Sequence, residues 1–251
     1  MRPLAFALLL LAALPARAEE VELSLPTGGA IKADLATPAS AKGKSPAIVY
    51  LHGAYVRRLG ADRAAEGGYD VGDFTRAFAD AGFVAIAPIR ETESTGDNGD
   101  AVIEEGLASV LSALDYLRSR KDVDARRIAL VGFEEGATIA LWALARMPDI
   151  AAAVAMSPSA MTGRAEAETM TLDRFIGGDA IKAVRAPVLV TVGREEGRGA
   201  RRRTDELTQK LMRSYKRFRH IHTYRGDSRW FRQPRDAVMA DILNFLGERL
   251  R

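Results

Sequence analysis

The stretch that decides the fold reads Arg127-Ile-Ala-Leu-Val131, then Gly132-Phe133-Glu134-Glu135-Gly136, then Ala137-Thr-Ile-Ala-Leu-Trp-Ala-Leu144. An apolar run of strand length meets an apolar run of helical length across a short junction. The first suits a strand buried on both faces, the second a buried helix. Glycines at both ends of the junction allow a sharp strand-to-helix turn without Cβ clashes, and such a turn lifts its central side chain above the sheet. The lifted residue is Glu134. At a helix N-terminus the macrodipole and free N–H groups favour negative charge, so Glu134 is expected to be ionised.

Outward from this junction, strands and helices alternate. Upstream, Ala47 to Leu51 is a buried strand ending in His52-Gly53. Phe74 to Ala81 reads as a helix with Asp73 as N-cap and Gly82 at its end. Phe83 to Ala87 is a strand stopped by Pro88, and Glu91 to Asp100 a polar loop. Asp100 is then expected to cap a long helix whose inner stripe is Leu107, Val110, Leu111, Leu114 and Leu117. Downstream, Ala151 to Met156, Pro187 to Val192 and Arg219 to Tyr224 read as strands. Thr204 to Ser214 and Pro234 to Leu250 read as helices. Ser157 to Lys182 is irregular, long enough for a small lid but not a large cap. At the start, Val21 to Leu25 and Ile31 to Leu35 alternate around Thr27-Gly28-Gly29, the pattern of an antiparallel hairpin.

This order predicts an α/β domain with a mostly parallel sheet covered on both faces. Ligands of such sheets bind at the carboxyl ends of the strands. His52-Gly53, Arg90-Glu91, Glu134, Gly193-Arg194 and Gly226 to Trp230 should therefore surround one mouth.

The chain has 251 residues and no cysteine. That length suits one domain, expected over 19–251. Disulfides, thiol nucleophiles and thiolate metal sites are excluded. The histidines are His52, His220 and His222, which disfavours a multi-histidine metal centre. No cofactor motif is present. Residues 1–18 read as a signal peptide. Arg2 precedes an apolar run from Leu4 to Leu14, followed by Pro15 and Ala16-Arg17-Ala18, so cleavage after Ala18 and a periplasmic or secreted destination are expected. The run is too short to span a bilayer. Removing 1–18 leaves 34 Lys/Arg against 33 Asp/Glu. The basicity is concentrated in Arg194 to Arg235, with 14 Lys/Arg against five Asp/Glu. With no interleaved aromatic pattern this region reads as a solvated helix face, and no nucleic-acid partner is implied.

The chain resembles the α/β-hydrolase superfamily, in particular its dienelactone-hydrolase-like branch. The matching pieces are Leu51-His52-Gly53, Ala81 to Pro88, Asp124 to Gly132 leading into the turn, Pro187 to Gly193, and Trp230-Phe231. The resemblance implies the α/β-hydrolase fold without a large cap. It also implies a catalytic site made of Ser or Cys at the turn, an acid after the Gly193 strand, and a His before the last helix. Here the nucleophile position holds Glu134 and the His position falls on Ser228. The acid position falls on Glu195 or Glu196, with Glu196 preferred. His52 and Gly53 match the family's oxyanion loop. Backbone donors to an oxyanion would come from Glu135 and from Ala54 or Tyr55.

A serine hydroxyl needs a base beside it to act as a nucleophile, and here both members are replaced. Glu134 is then read as an inert or ligand-binding acid paired with a nearby arginine, such as Arg57, Arg58, Arg90 or Arg194. Other readings are a carboxylate nucleophile, as in dehalogenase and epoxide-hydrolase relatives, or a general base or cation-binding acid. Glu91, Glu93, Glu195 and Glu196 could join it around a hard cation, but read more simply as loop acids. Tyr55 is either a pocket wall or a loop anchor. The expected occupant of the mouth is a small-molecule ligand or substrate.

Overall fold

The computed structural model describes residues 17–40, 43–91, 99–159, 170–214 and 219–250. Eight strands form one sheet: β1 (Arg17–Ser24), β2 (Ala30–Thr37), β3 (Ser45–Leu51), β4 (Val84–Pro88), β5 (Val123–Phe133), β6 (Ala152–Met156), β7 (Val188–Gly193) and β8 (Arg219–Tyr224). Their order across the sheet is β1-β2-β4-β3-β5-β6-β7-β8. The expected hairpin is β1–β2, which joins the sheet by an antiparallel pairing of β2 with β4. From β4 to β8 every pairing is parallel.

Alternation along the inner strands feeds two cores. Val49, Leu51, Ile128, Leu130, Ala153 and Ala155 face one cluster. That cluster is closed by α4 (Gly99–Ser119), α5 (Glu135–Arg146), α6 (Leu172–Gly177), α7 (Ala180–Ala183) and α8 (Arg198–Ser214). Ile48, Tyr50, Ala129, Val131, Phe133, Val154 and Met156 face the other. It is closed by α1 (Ala54–Leu59), α2 (Ala61–Glu66), α3 (Val71–Asp80) and α9 (Asp236–Leu250). A strand buried on both faces needs no polar side, which is why these runs read as continuously apolar.

Several local expectations shift. The third helix starts three residues early, and its cap is Asp70, whose side chain accepts from Gly72 N, while Asp73 lies in the first turn. Asp100 lies in the first turn of α4, and its Oδ1 accepts from Met170 N at 2.6 Å. Leu111 is 38% exposed although its stripe-mates Leu107, Val110, Leu114 and Leu117 are buried. It sits at the edge of the arc that the sheet covers. Two short helices, α1 and α2, follow His52-Gly53, where no helix was expected because each is only six residues long. Between β6 and β7 the described residues form only α6 and α7, and no large cap is present among the described residues. Much of the lid stretch, Glu93, and the apolar run before Arg17 lie outside the described residues. No helix among the described residues is long and apolar enough to cross a membrane.

Candidate functional site

The turn between β5 and α5 is tight because backbone fills the space a side chain would need. A Cβ on Gly136 would stand 2.7 Å from His52 O, and one on Gly132 would stand 2.6 Å from Ala137 N. Such contacts essentially never occur, so both positions require glycine for close approach. Between them Glu134 adopts φ 49°, ψ −111°. A non-glycine residue there is strained by about 1–3 kcal/mol. The strain is held by neighbours. Glu134 N donates to Met156 O at 2.9 Å, and Ser159 N donates to Glu134 O at 3.1 Å.

Glu134 points into the mouth of the sheet. Its Oε2 lies so close to Gly53 that a Cβ there would meet it at 2.7 Å. Burial pushes its carboxyl above the usual range. The Arg232 charge and the neighbouring Ser228 side chain partly offset this, while Glu196 and Glu135 add to it. At Glu134, loss of solvent therefore opposes the helix dipole. Its cationic neighbour is an arginine, as expected, but none of the four named as examples. It is Arg232, four residues beyond Ser228 in the 3-10 turn Ser228–Arg232. Arg232 lies 4.6 Å over the Tyr55 ring, and its buried Nε has no partner. Tyr55 thus anchors the loop and carries a guanidinium on its face.

The acid position resolves to one of the two candidates. Glu195 is exposed. Glu196 turns inward, where its Oε1 accepts from Gly193 N at 3.0 Å and from the Ser157 hydroxyl. Ser157 is buried and, like Glu134, has φ 49°. With a serine at position 228, Glu196 has no imidazole there to orient and is held by Ser157 instead.

Arg57 and Arg90 both meet Glu135. Arg57 Nε donates to Glu135 Oε1 at 2.9 Å and Oε2 at 3.1 Å, and Arg90 Nη1 donates to Oε1 at 3.0 Å. All three are buried, with Glu135 and Arg90 each 1% exposed. Arg90 also fixes the loop before Ala54. Its Nη2 donates to His52 O at 2.5 Å, and its backbone N–H donates to His52 Nε2 at 2.9 Å. Nε2 is therefore the acceptor nitrogen, so Nδ1 carries the proton and donates to Gly53 O at 3.0 Å. Burial and the Arg90 charge hold the His52 pKa well below its usual value. Gly53 N donates to Tyr69 Oη, which meets Tyr50 Oη at 3.1 Å. His52 and Gly53 are thus loop framework. Glu135 heads α5 and Ala54 heads α1, so their N–H groups lack intrahelical partners at the mouth.

The remaining acids do not gather. Glu91 Oε1 accepts from Ala61 N at 2.7 Å and starts α2. Among the described residues no group of three or more acids or histidines is placed to hold a metal ion. His220 and His222 lie in β8, with His222 opposite Thr191, short of the loop that carries Ser228. In the basic region, Arg203 pairs with Asp173 and Arg229 with Asp227. Arg194, Arg198, Arg201 and Arg202 are exposed.

A parallel sheet with this strand-turn-helix at its centre and loops gathered at its carboxyl end is the α/β-hydrolase fold. The chain belongs to the dienelactone hydrolase family, whose sequence profile matches residues 31–241. Among solved structures it is similar to a candidate dienelactone hydrolase from Klebsiella pneumoniae, with TM-score 0.68, 18% identity, and coverage of 93% of this chain and 98% of that one. It is also similar to an esterase from Pyrococcus furiosus, with TM-score 0.70, 13% identity and 94% of both chains covered. An acylaminoacyl peptidase from Pyrococcus horikoshii matches with TM-score 0.73 and 16% identity over 94% of this chain and 42% of that one. At these identities the likeness is one of fold. No curated protein sequence matches the chain.

Proposed function

We propose that this protein is an exported member of the dienelactone hydrolase family that binds a small molecule in the mouth around Glu134 without hydrolysing it by serine-type chemistry. The observation that carries the reading is the set of groups around the elbow. Glu134 has Ser228 and Arg232 as neighbours, and Glu196 is engaged by Ser157 and Gly193 N. None of these is an imidazole placed to take a proton from a hydroxyl at the elbow. The His52 imidazole has both nitrogens committed to Arg90 N and Gly53 O.

A second reading makes the protein a divergent hydrolase acting on esters through Glu134. It is favoured by the raised carboxyl pKa and the strained elbow, both common where a group is poised for chemistry. The deciding experiment compares activated-ester hydrolysis by residues 19–251 with the Glu134→Gln variant. The binding reading expects wild type and variant both to match the buffer rate. Turnover by the wild type that vanishes in Glu134→Gln would overturn it in favour of the second reading.

Export is part of the proposal. It rests on the charged, apolar and small-residue pattern of positions 1–18. Cleavage after Ala18 would trim Arg17 and Ala18 from β1 and leave Glu19 to Ser24 paired with Leu35 to Ala30. N-terminal sequencing of the exported protein should begin at Glu19. An intact residue 1 in that fraction would remove this part.

A further inference from the structure

We infer that the outer face of α8 is a docking surface for an anionic lipid bilayer, with the helix lying along the headgroups. This is independent of what occupies the mouth and of export.

Helix α8 has one committed side. Thr204, Leu207, Thr208 and Leu211 are buried, and the helix lies against β7, α6 and α7. Arg203 is tied to α6 by its ion pair with Asp173. Arg198, Arg201, Arg202, Asp205, Gln209 and Met212 recur at steps of three or four, so they share the opposite side. All six are exposed.

The charge on that side works against the helix. The N-terminal end of a helix favours acids and disfavours cations. The first turn of α8 holds no acid, and the helix opens on Arg198, Arg201 and Arg202. These three, Arg194 before the helix and Arg213 in its last turn pair with no acid among the described residues. Arg213 reaches only Gln209 Oε1, at 3.5 Å. Asp205 and Glu206, both exposed, offset part of this charge and leave the face net positive. A set of unpaired guanidiniums at the wrong end of a helix is a cost within the fold that an external anion removes.

The same face carries an exposed apolar side chain. Met212 is 62% exposed, against 41% for Leu59 and 38% for Leu111, the other exposed large hydrophobic residues described. An anionic bilayer suits both features: phosphate headgroups take the guanidiniums, and Met212 enters the boundary with the acyl chains. At 17 residues, α8 is about 25 Å long. Its charges are strung along a line, which fits an extended surface better than one small anion. The helix has no aromatic residue, whereas surfaces for single-stranded nucleic acid stack bases on aromatic rings.

Charge across the molecule sets the orientation. Between Arg194 and Arg235 there are 14 Lys/Arg against five Asp/Glu. The far edge of the sheet is β1, which carries Glu19, Glu20 and Glu22. An anionic bilayer attracts the first edge and repels the second. Because α8 begins just after the carboxyl end of β7, docking turns the mouth side of the sheet towards the bilayer.

The test is cosedimentation with vesicles of phosphatidylcholine alone or mixed with phosphatidylglycerol, at low and high salt. Residues 17–251 are used, which keep every described element and omit the apolar run Leu4 to Leu14, a bilayer-seeking segment of its own. The variants are Arg201→Gln/Arg202→Gln, Met212→Ser, and Arg118→Gln/Arg126→Gln, which removes the same charge from outside α8. Binding is expected to the mixed vesicles alone and to fade at high salt. It should weaken at least about tenfold in Arg201→Gln/Arg202→Gln and several-fold in Met212→Ser, while Arg118→Gln/Arg126→Gln keeps most of it. The Arg201→Gln/Arg202→Gln melting temperature should equal or exceed that of the wild type, since the helix dipole disfavours those cations; this separates lost docking from lost fold. No binding to the mixed vesicles overturns the inference, as does binding that ignores salt, full binding by either α8 variant, or equal loss in the two double variants. Release of the protein by soluble glycerol phosphate would make the site a phosphate pocket, and tighter capture by duplex DNA would give the face to nucleic acid; either overturns it.

Discussion

Glu134 and Glu135 are neighbours of identical chemistry that belong to opposite halves of the mouth. On the β4–β3–β5 side, Glu135 is enclosed by two guanidiniums and ties His52, Arg90 and α1 to the head of α5. On the β5–β6–β7 side, Glu134 stands on a strained turn beside Ser228, Arg232 and Glu196, and burial raises its pKa. The first half is scaffold, with its carboxylate saturated by fixed donors. The second half is the part open to ligand. The contrast teaches that the glycines and the buried ion cluster, and not the central side chain, hold the turn.

The largest effect should come from rebuilding chemistry in the open half. Glu134→Ser alone should stay near the buffer rate on activated esters, since Ser228 cannot take a proton. Adding Ser228→His should raise the rate about 10²–10⁴-fold over the single variant, the usual contribution of a placed general base. A single variant as fast as the double one would mean that a base already faces the elbow, and the division between halves would fail.

The closed half is probed by stability. Glu135→Gln leaves Arg57 and Arg90 buried without a counter-charge and should cost about 3–5 kcal/mol in denaturant unfolding. Glu134→Gln, in the open half, should change stability by no more than about 1 kcal/mol. Equal losses in the two variants would erase the distinction.

A smaller effect separates the glutamates by pH. The Glu134 carboxyl has a raised folded pKa, so the folded state holds its proton more tightly than the unfolded chain. Its contribution to stability is full below the unfolded value and declines as pH rises through the folded one. The melting temperature of Glu134→Gln should therefore gain on that of the wild type as pH is raised from 4 to 7. A constant difference across that range would place Glu134 in a solvent-like setting.

The smallest signal is at His52. Its lowered pKa means that it stays neutral in the fold while the unfolded chain takes up a proton. Stability is therefore lost as pH falls below the ordinary histidine value. Nitrogen NMR should find the His52 ring uncharged at pH 5 with its proton on Nδ1. A ring that titrates near 6.5 would show that the closed half admits water.

Much of the fold was legible because it depends on period and length. The doubly buried strands, the hairpin around Gly28-Gly29 and the long helix α4 each carry their pattern locally. Helices α1 and α2 were not legible, since six residues give too little period to detect. The cap at Asp70 was missed for a similar reason: Asp70 and Asp73 both suit an N-cap, and only backbone geometry chooses between them.

In the site, motif order was enough to bring Glu134, Gly53, Glu196 and Ser228 to one mouth. The pairing of charges was not legible. Several arginines were within plausible reach of Glu134, and the sequence offered no way to see that two of them would go to Glu135 and that Arg232 would come from the far side. Nor could it show that Glu196, and not Glu195, turns inward to Ser157.

The sequence by itself determined the layers of this protein, the position of its mouth and the residue types that stand there, because periodicity and residue identity are properties of short segments. Only the tertiary structure decided which carboxylate is caged and which keeps its proton more tightly. Those depend on distances between groups tens of residues apart, and on how much water the closed fold leaves around each of them.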